Sequence, residues 1–353
     1  MPAHTPSPRP RAARTAARAG TGVLILTLLA GCGVRLETPP PTIPSPPAAE
    51  VLRQDVALEA RDLTARSASA LSAGGTSDAV ADALTDVEEA ATAHLAALDG
   101  VWEPWPGSGP DATAPPTAAP GAGSPGPGGA PGAAAGGAGA TAAGAATPAD
   151  VLALLVAGAR TAHDAARGPG ETAPLLAAVA ISRTYAAVDL AAALGTEADV
   201  PLGTPLPDPG GAGAQAGAGA DADLPAVGAE TVHALDAGRY AFEVVAARTS
   251  GRERDAALAR AAHLAGVVRA VGDGAEPVAY DVTGPLGSPL AGQTPERSLA
   301  AVAELDLVTA WVGELASVTD LAQRAAVLDA AHHAAGQARS WGATLPALPG
   351  LAP

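Results

Sequence analysis

The chain has 353 residues with 20 basic and 36 acidic side chains, and its formal net charge is −16. It contains no lysine, so all of its basic side chains apart from histidine are arginines. Such an acidic chain is repelled by nucleic acid and by anionic lipid headgroups, which argues against a nucleic-acid partner. The single cysteine, Cys32, excludes an intramolecular disulfide, so the fold must be stabilised by packing.

Residues 1–31 have the pattern of an export signal. Four arginines precede a nine-residue apolar run, Gly22 to Ala30, which is too short to span a bilayer. The run leads into Leu29-Ala30-Gly31 directly before Cys32, an arrangement that resembles the lipobox of bacterial lipoproteins. The resemblance implies cleavage before Cys32, a diacylglyceryl group on its thiol and an N-terminus acylated with a fatty acid such as palmitate. The alternative is a structural or free cysteine within an ordinary signal.

The anchor implied by this resemblance predicts the location of the protein and its contact with the membrane. Removal of the signal leaves a net charge of −20, so the lipid on Cys32 and not a basic patch must hold the chain to the membrane. We therefore expect a lipid-anchored protein on the extracytoplasmic face of the cell membrane.

Composition divides the remaining chain into stalk, helical regions and linkers. Residues 32–49 are rich in proline, which favours an extended polyproline II stalk. Residues 106–147 and 196–222 contain few large apolar side chains to offset the entropy of ordering, so we predict two disordered linkers. The three regions between these breaks, residues 50–105, 148–195 and 223–353, carry the folded structure.

Helical periodicity dominates these three regions. Apolar residues recur at spacings of three and four, and no run shows the alternation typical of strands. We predict an all-α protein with a helical hairpin over residues 50–105, a second hairpin over 148–195 and a four-helix bundle over 223–353. Thr147-Pro148 and Thr294-Pro295 are predicted to begin helices, because each supplies an N-cap and a first-turn proline.

The last third of the chain resembles a known family. Its features are "ALDAGRYAFEVVAAR" at Ala234–Arg248, the loop "EPVAYDV" at Glu276–Val282 and the ending "ARSWGATLPALPGL" at Ala338–Leu351. These look like the ferritin-like domain of unknown function found in actinobacterial proteins, many of which are lipoproteins. The resemblance implies a ferritin-like four-helix bundle from about Val227 to Leu351, and it implies no particular activity.

A ferritin-like bundle raises the question of a di-metal site, which takes a Glu from two helices and a Glu-x-x-His pair from each of the other two. Glu230 and His233 have the required spacing, but we expect them to face solvent, opposite the apolar side of their helix. His263 has Arg260 three residues before it, and a guanidinium would repel a metal ion. Neither helix therefore supplies a usable pair.

The last two helices offer an incomplete set of metal ligands. His332 lies on an apolar face with Asp329 three residues before it, and Glu304 lies at the edge of the face of the preceding helix. One histidine and two acids do not complete a di-metal site. We therefore predict no metal or cofactor, with Glu304, Asp329 and His332 as candidates for a di-iron or di-manganese centre in the alternative case. We expect His332 to be buried and hydrogen-bonded within the core.

Other chemical motifs are lacking. There is no Gly-x-Ser-x-Gly elbow, no Ser-x-x-Lys motif and no phosphate-binding loop, so we predict no catalytic or cofactor-binding residue. We interpret His94 and the pair His163-Asp164 as parts of solvated helix faces. Trp102 and Trp105, in "GVWEPWPG", either cover the end of a helix, as Trp341 does at the chain's last helix, or form a docking segment for a partner.

The sequence thus predicts a membrane-anchored extracytoplasmic lipoprotein. We expect a non-catalytic binding or scaffolding module of the cell envelope, with an envelope protein of unknown identity as its partner. A di-metal carboxylate ferroxidase or oxidase is the alternative. The sequence does not decide whether the protein is an enzyme, but it favours one that is not. Binding of a small ligand in the bundle core is a third hypothesis, which the alanine-rich helix faces disfavour.

Overall fold

A computed structural model describes residues 46–102, 145–168, 170–207, 224–272 and 280–351. Within these ranges the chain forms nine helices and no strand, so the all-α prediction is confirmed for them. The predicted signal, Cys32 and Trp105 lie outside the described residues. The helices are α1 (Ala48–Ala73), α2 (Asp78–Ala97), α3 (Pro148–Ala166), α4 (Ala173–Ala193), α5 (Ala229–Arg248), α6 (Gly251–Val271), α7 (Thr283–Gly287), α8 (Pro295–Glu314) and α9 (Leu321–Ser340).

Side-chain caps fix the beginnings of three helices. Thr147 and Asp150 form a reciprocal capping box at the start of α3, and the Thr294 hydroxyl accepts a hydrogen bond from the Arg297 N–H at the start of α8. Both predicted N-caps are confirmed. The Asp320 carboxylate accepts from the Ala322 and Gln323 N–H groups at the start of α9. These bonds satisfy N–H groups that have no acceptor within the helix.

Helices α1 to α4 form the N-terminal helix group. Helix α1 packs against α2 and α3, and α4 packs against the same two helices, so the four enclose a shared interior. Each helix buries a leucine there, and these four side chains belong to one apolar cluster: Leu63, Leu84, Leu155 and Leu190. Burial of these side chains is the main favourable contribution to this packing.

Helices α5, α6, α8 and α9 form the C-terminal helix group. Helix α5 packs against α6 and α8, α8 packs against α9, and the short α7 lies on α8. Each of the four long helices buries a large side chain in one cluster: Phe242, Leu264, Leu307 and Leu328. Trp341, at the end of α9, is buried with its ring centroid 5.8 Å from that of Phe242.

The two helix groups pack together within one compact unit, Pro47–Pro353. Helix α4 of the first group contacts α8 and α9 of the second, and one buried apolar cluster contains residues of both. The Tyr185 hydroxyl of α4 donates a 2.8 Å hydrogen bond to the His332 carbonyl of α9. We call this contact region the junction.

Part of the predicted second linker belongs to the junction. Leu206 is buried in the shared apolar cluster, and the Thr204 hydroxyl donates a 3.1 Å hydrogen bond to Asp329. The prediction of a disordered linker over residues 196–222 is therefore wrong for residues 196–207, because Leu206, Thr204 and the bond from Arg160 of α3 to the Asp199 carbonyl hold this segment against the helices. Residues 208–222 lie outside the described part of the chain.

Helix α4 is the one described helix that is long and apolar enough to cross a membrane by length and composition. Most of its apolar stretch is buried by the other helices. A buried core helix of a folded protein meets the same criteria of length and composition.

Candidate functional site

Glu304 is completely buried inside the C-terminal helix group. The Arg260 guanidinium of α6 donates to both of its carboxylate oxygens, with Nε–Oε1 at 2.7 Å and Nη2–Oε2 at 2.8 Å. Burial raises the pKa of Glu304 and the charge of Arg260 opposes that rise. The expected position at the edge of the helix face is wrong, because Arg260 makes full burial of the carboxylate tolerable.

Asp329 and His332 lie at the junction. His332 is fully buried, with its ring centroid 5.4 Å from that of His163 in an edge-on arrangement. His163 Nε2 lies 3.8 Å from Asp329 Oδ1, which is longer than a hydrogen bond. The proximity of His163, together with the bond from Thr204, lowers the pKa of Asp329. The structure therefore groups Asp329 and His332 with His163.

The ring of His332 makes no hydrogen bond with the described residues, so the expectation of a hydrogen-bonded imidazole is wrong. Its polar contact with α4 is made by the main-chain carbonyl, which accepts from Tyr185. Burial, reinforced by the nearby His163, lowers the pKa of His332 to about 3, so its ring is neutral at neutral pH. Within the described ranges, no three His, Cys, Asp or Glu side chains are arranged to hold a metal ion.

Trp102 lies five residues after the end of α2 and is 54% exposed. Its backbone N–H donates a 2.9 Å hydrogen bond to Gln54 Oε1 of α1. Val51 and Leu58 are also exposed and lie on the same face of α1 as Gln54, at positions three before and four after it. We call these three apolar side chains, Val51, Leu58 and Trp102, the Trp102 patch. Trp311 and Trp341, in contrast, are buried.

A cavity of about 450 Å³ lies between α2, α4, the end of α9 and residues 343–347. Asp86 and Glu89 from α2, Asp189 from α4 and Arg339 from α9 line it. Arg339 forms an ion pair with Asp189, and its guanidinium lies 4.9 Å from the centre of the Tyr185 ring. Partial burial raises the pKa of Asp86, and the neighbouring carboxylates raise it further. The cavity wall is thus predominantly negative.

A second cavity of about 10 Å³ lies behind the first and shares Ala90, Ser182 and Ala186 with it. His94 lines this small cavity and is buried. Its Nε2 lies 2.8 Å from the Ala347 carbonyl. A carbonyl can only accept, so this tautomer carries its hydrogen on Nε2 and leaves Nδ1 as an acceptor.

Sequence reasoning missed several members of these sites, among them His94, His163 and residues 343–347. His94 and His163 were expected on solvated faces, but His94 is buried and only 12% of the His163 side chain is exposed. The proximity of His94 to acidic residues in sequence concealed its position on the inner face of α2. Residues 343–347 carried no motif, and only their return to the N-terminal helix group makes them part of a cavity wall.

Comparison of the chain with protein-family models, curated proteins and solved structures finds no match. The contacts described above therefore define the class: an all-helical protein, within its described residues, in which two packed helix groups present an exposed aromatic patch and an acid-lined cavity.

Proposed function

We propose that the protein is a lipid-anchored, extracytoplasmic and non-catalytic binding module of the cell envelope. A diacylglyceryl group on Cys32 holds it to the membrane, and an envelope protein docks on its folded part. The observation that carries this proposal is the exposed side chain of Trp102. Accessible tryptophans are enriched at protein interfaces, where they supply a large apolar contact area from few rotatable bonds.

The Trp102 patch is the docking surface in this proposal. Val51 and Leu58 extend the apolar area along α1, and Trp105 follows three residues after Trp102 in sequence. Helix α1 begins sixteen residues after Cys32, so the start of this helix lies within about 55 Å of the anchor even if the intervening chain is fully extended. The partner is therefore an envelope protein that is within reach of the membrane surface.

We infer a ferritin-like bundle for residues 223–353 from the resemblance of their sequence and from the packing of α5, α6, α8 and α9. The buried ion pair argues against the di-metal ferroxidase alternative. A di-metal carboxylate centre uses glutamates as metal ligands, whereas both oxygens of Glu304 are engaged by Arg260. In our proposal this bundle has a structural role and supports the junction.

The anchor is tested by expressing the full chain in a bacterium that processes lipoproteins. We expect the wild-type chain in the membrane fraction, with an N-terminal peptide whose mass shows an acylated Cys32. The Cys32→Ala variant should lose this modification, because alanine offers no thiol for a thioether. A lipid anchor would be contradicted if both chains were found in the membrane fraction in equal amounts and neither carried an acyl group.

The partner is tested by photo-cross-linking in intact cells. A photoreactive amino acid at position 102 or 58 is expected to give the same discrete adduct, and Trp102→Ala should weaken the adduct formed from position 58. Position 258 on α6 is the matched control, because Leu258 has a similar exposure of 47% and lies away from the patch. Identical adducts from positions 102 and 258 would contradict a specific docking surface.

The ferroxidase alternative is tested by metal analysis of the full chain after exposure to Fe(II) and Mn(II). We expect less than stoichiometric metal after desalting, because Arg260 occupies the Glu304 carboxylate. Retention of about one or two metal ions per chain, lost in both Glu304→Ala and His332→Ala, would overturn the non-catalytic proposal and favour a di-metal enzyme.

A further inference from the structure

We propose that the acid-lined cavity between α2, α4 and residues 343–347 binds a small organic cation that carries a primary ammonium and an uncharged hydrogen-bond donor. The site is separate from the Trp102 patch, so the proposal goes beyond docking to an envelope protein. The cavity volume of about 450 Å³ falls within the range of small-molecule sites.

The charge of the cavity wall favours a cation. Three carboxylates, from Asp86, Glu89 and Asp189, face one guanidinium, from Arg339. Arg339 pairs with Asp189, while Asp86 and Glu89 have no ion-pair partner among the described residues. A cation placed between Asp86 and Glu89 would relieve the repulsion between the two carboxylates. The strongly acidic chain as a whole also attracts cations.

The aromatic contact indicates which kind of cation fits. Tyr185 is the aromatic residue of the cavity wall, and the Arg339 guanidinium already covers its ring. Its hydroxyl is also engaged, because it donates to the His332 carbonyl. Quaternary ammonium groups are bound through open aromatic faces, whereas a primary ammonium donates hydrogen bonds to carboxylates. The wall therefore favours a primary ammonium over a quaternary one.

The buried acceptor behind the cavity provides an independent indication of a ligand. His94 Nδ1 has no hydrogen-bond partner among the described residues, although His94 is only 2% exposed. Burial lowers the pKa of His94 to about 3, so the ring is neutral and Nδ1 remains an acceptor at neutral pH. A buried acceptor without a partner is energetically costly, and a donor group in the small cavity would satisfy it.

Arg183 determines which end of the ligand points inward. It also lines the small cavity, and its buried guanidinium is held by Glu59 at 2.8 Å. This positive charge opposes entry of an ammonium, so the inner group must be uncharged. The small cavity has room for about one water-sized group, such as a hydroxyl. Ser182 lines both cavities, so the hydroxyl end of the ligand would lie next to it. The ammonium then remains at the carboxylates and an aliphatic chain lies along the alanines between the two ends.

The probe for this proposal is 6-aminohexan-1-ol, titrated calorimetrically into the full chain in detergent micelles at neutral pH. Hexylamine lacks the inner donor and 1,6-hexanediol lacks the charge, so the three compounds separate the two requirements. We expect 6-aminohexan-1-ol to bind most tightly, hexylamine more weakly and hexanediol not at all. Sodium chloride should weaken binding of both amines, because the carboxylates at the cavity mouth are exposed to solvent.

Variants locate the site. The double variant Asp86→Asn/Glu89→Gln should weaken binding of both amines about tenfold, because it removes two charges next to the ammonium. Glu88→Gln is the matched control, since Glu88 lies on the same helix and does not line the cavity. Ser182→Ala should reduce the preference for 6-aminohexan-1-ol over hexylamine and leave hexylamine binding unchanged.

Four results would overturn the proposal. These are no binding of either amine, equal binding of hexanediol, equal weakening by Glu88→Gln, and displacement of the amine by calcium chloride but not by sodium chloride of equal ionic strength. The last result would assign the cavity to an inorganic cation. Cross-linking at position 102 in the Asp86→Asn/Glu89→Gln variant is the separate readout for the envelope partner, so failure of one proposal leaves the other open to its own test.

Discussion

Each helix group contains a buried charged side chain that is held in an ion pair with another helix, and the two groups stabilise that charge differently. In the N-terminal group, Arg183 bonds to Glu59 and also to the main-chain carbonyls of Val56 and Gly158, at 2.8 and 3.1 Å. In the C-terminal group, the carboxylate of Glu304 is held by Arg260 alone among the described residues. The charge of Arg183 is shared among several acceptors, whereas that of Glu304 depends on one partner.

From this difference we expect the number of partners, and not burial alone, to determine how much stability is lost when a buried charge loses a partner. Removal of one partner from a buried pair leaves an uncompensated charge in a medium of low polarity. Glu59 is partly exposed, so water reaches one end of the first pair, while Glu304 is fully enclosed. Four predictions test the comparison, from the largest expected effect to the smallest.

Removal of Arg260 should have the largest effect. We expect Arg260→Met to lower the free energy of unfolding by about 3–5 kcal/mol at pH 7, because Glu304 is left buried without its counter-charge. Urea denaturation followed by circular dichroism measures this change. The double variant Arg260→Met/Glu304→Leu removes both charges and should recover most of the loss. A loss of under about 1 kcal/mol in Arg260→Met would show that Glu304 has another source of stabilisation.

Acid should weaken both groups, because each buries a neutral histidine. Burial lowers the pKa of His94 and of His332 to about 3, from an ordinary value of 6.5. The unfolded chain therefore takes up a proton below pH 6.5 that the folded chain excludes until about pH 3. Each histidine contributes stability that is complete above pH 6.5 and is lost as the pH falls through this window.

The expected loss from this proton uptake is about 2 kcal/mol for each histidine between pH 7 and pH 5. Denaturant titrations at several pH values measure the slope. His94→Gln and His332→Gln should each flatten it, whatever their effect on absolute stability, whereas His233→Gln should not, since His233 is exposed. An unchanged slope in the two buried variants would contradict the exclusion of protons by the folded chain.

The junction should tolerate no side chain at Gly203. Gly203 has φ +72°, and an added Cβ would overlap the Asp329 carbonyl oxygen and lie 2.7 Å from the His332 Cβ. We expect Gly203→Ala to cost about 1–3 kcal/mol more than Gly195→Ala. Gly195 is the matched control, because it has φ +70° and a Cβ added there would meet no atom within 4 Å. Thermal unfolding compares the two variants. Equal melting temperatures would show that the junction accommodates the added methyl group without loss of stability.

Neutralisation of Glu59 should have the smallest effect. We expect Glu59→Gln to cost about 1 kcal/mol, because Arg183 keeps its two carbonyl acceptors and the amide oxygen still accepts a hydrogen bond. The same urea measurement as for Arg260→Met gives the value. A loss of stability as large as that in Arg260→Met would contradict the proposed difference between the two groups. It would show that the Val56 and Gly158 carbonyls contribute little to stabilising Arg183.

The sequence predicted the helices well because their signals are local. Thr147 and Thr294 were identified as N-caps from the proline that follows each, and the structure confirms both. The pairing of Arg260 with Glu304 was not predicted, although Glu304 was considered as a metal ligand and Arg260 as a side chain that would repel a metal ion. They lie 44 positions apart, and nothing in either helix specifies that the two side chains meet.

The candidate site shows the same limit. Asp329 and His332 share a helix face, so their proximity follows from the helical repeat. His163 belongs to a different helix group and joins them only because the two groups pack together. Residues 196–207 were expected to be disordered on composition, yet Leu206 finds a buried position that composition does not indicate.

The amino-acid sequence by itself determined the helical class and most helix positions, since backbone hydrogen bonds, caps and apolar repeats act within a few residues. It also supplied the pattern around Cys32 on which the proposed anchor rests. The tertiary structure alone decided which charges are paired, which histidines are buried and where the acid-lined cavity lies. These features depend on contacts between helices far apart in sequence, and such contacts form only where packed faces bring their side chains within a few ångströms.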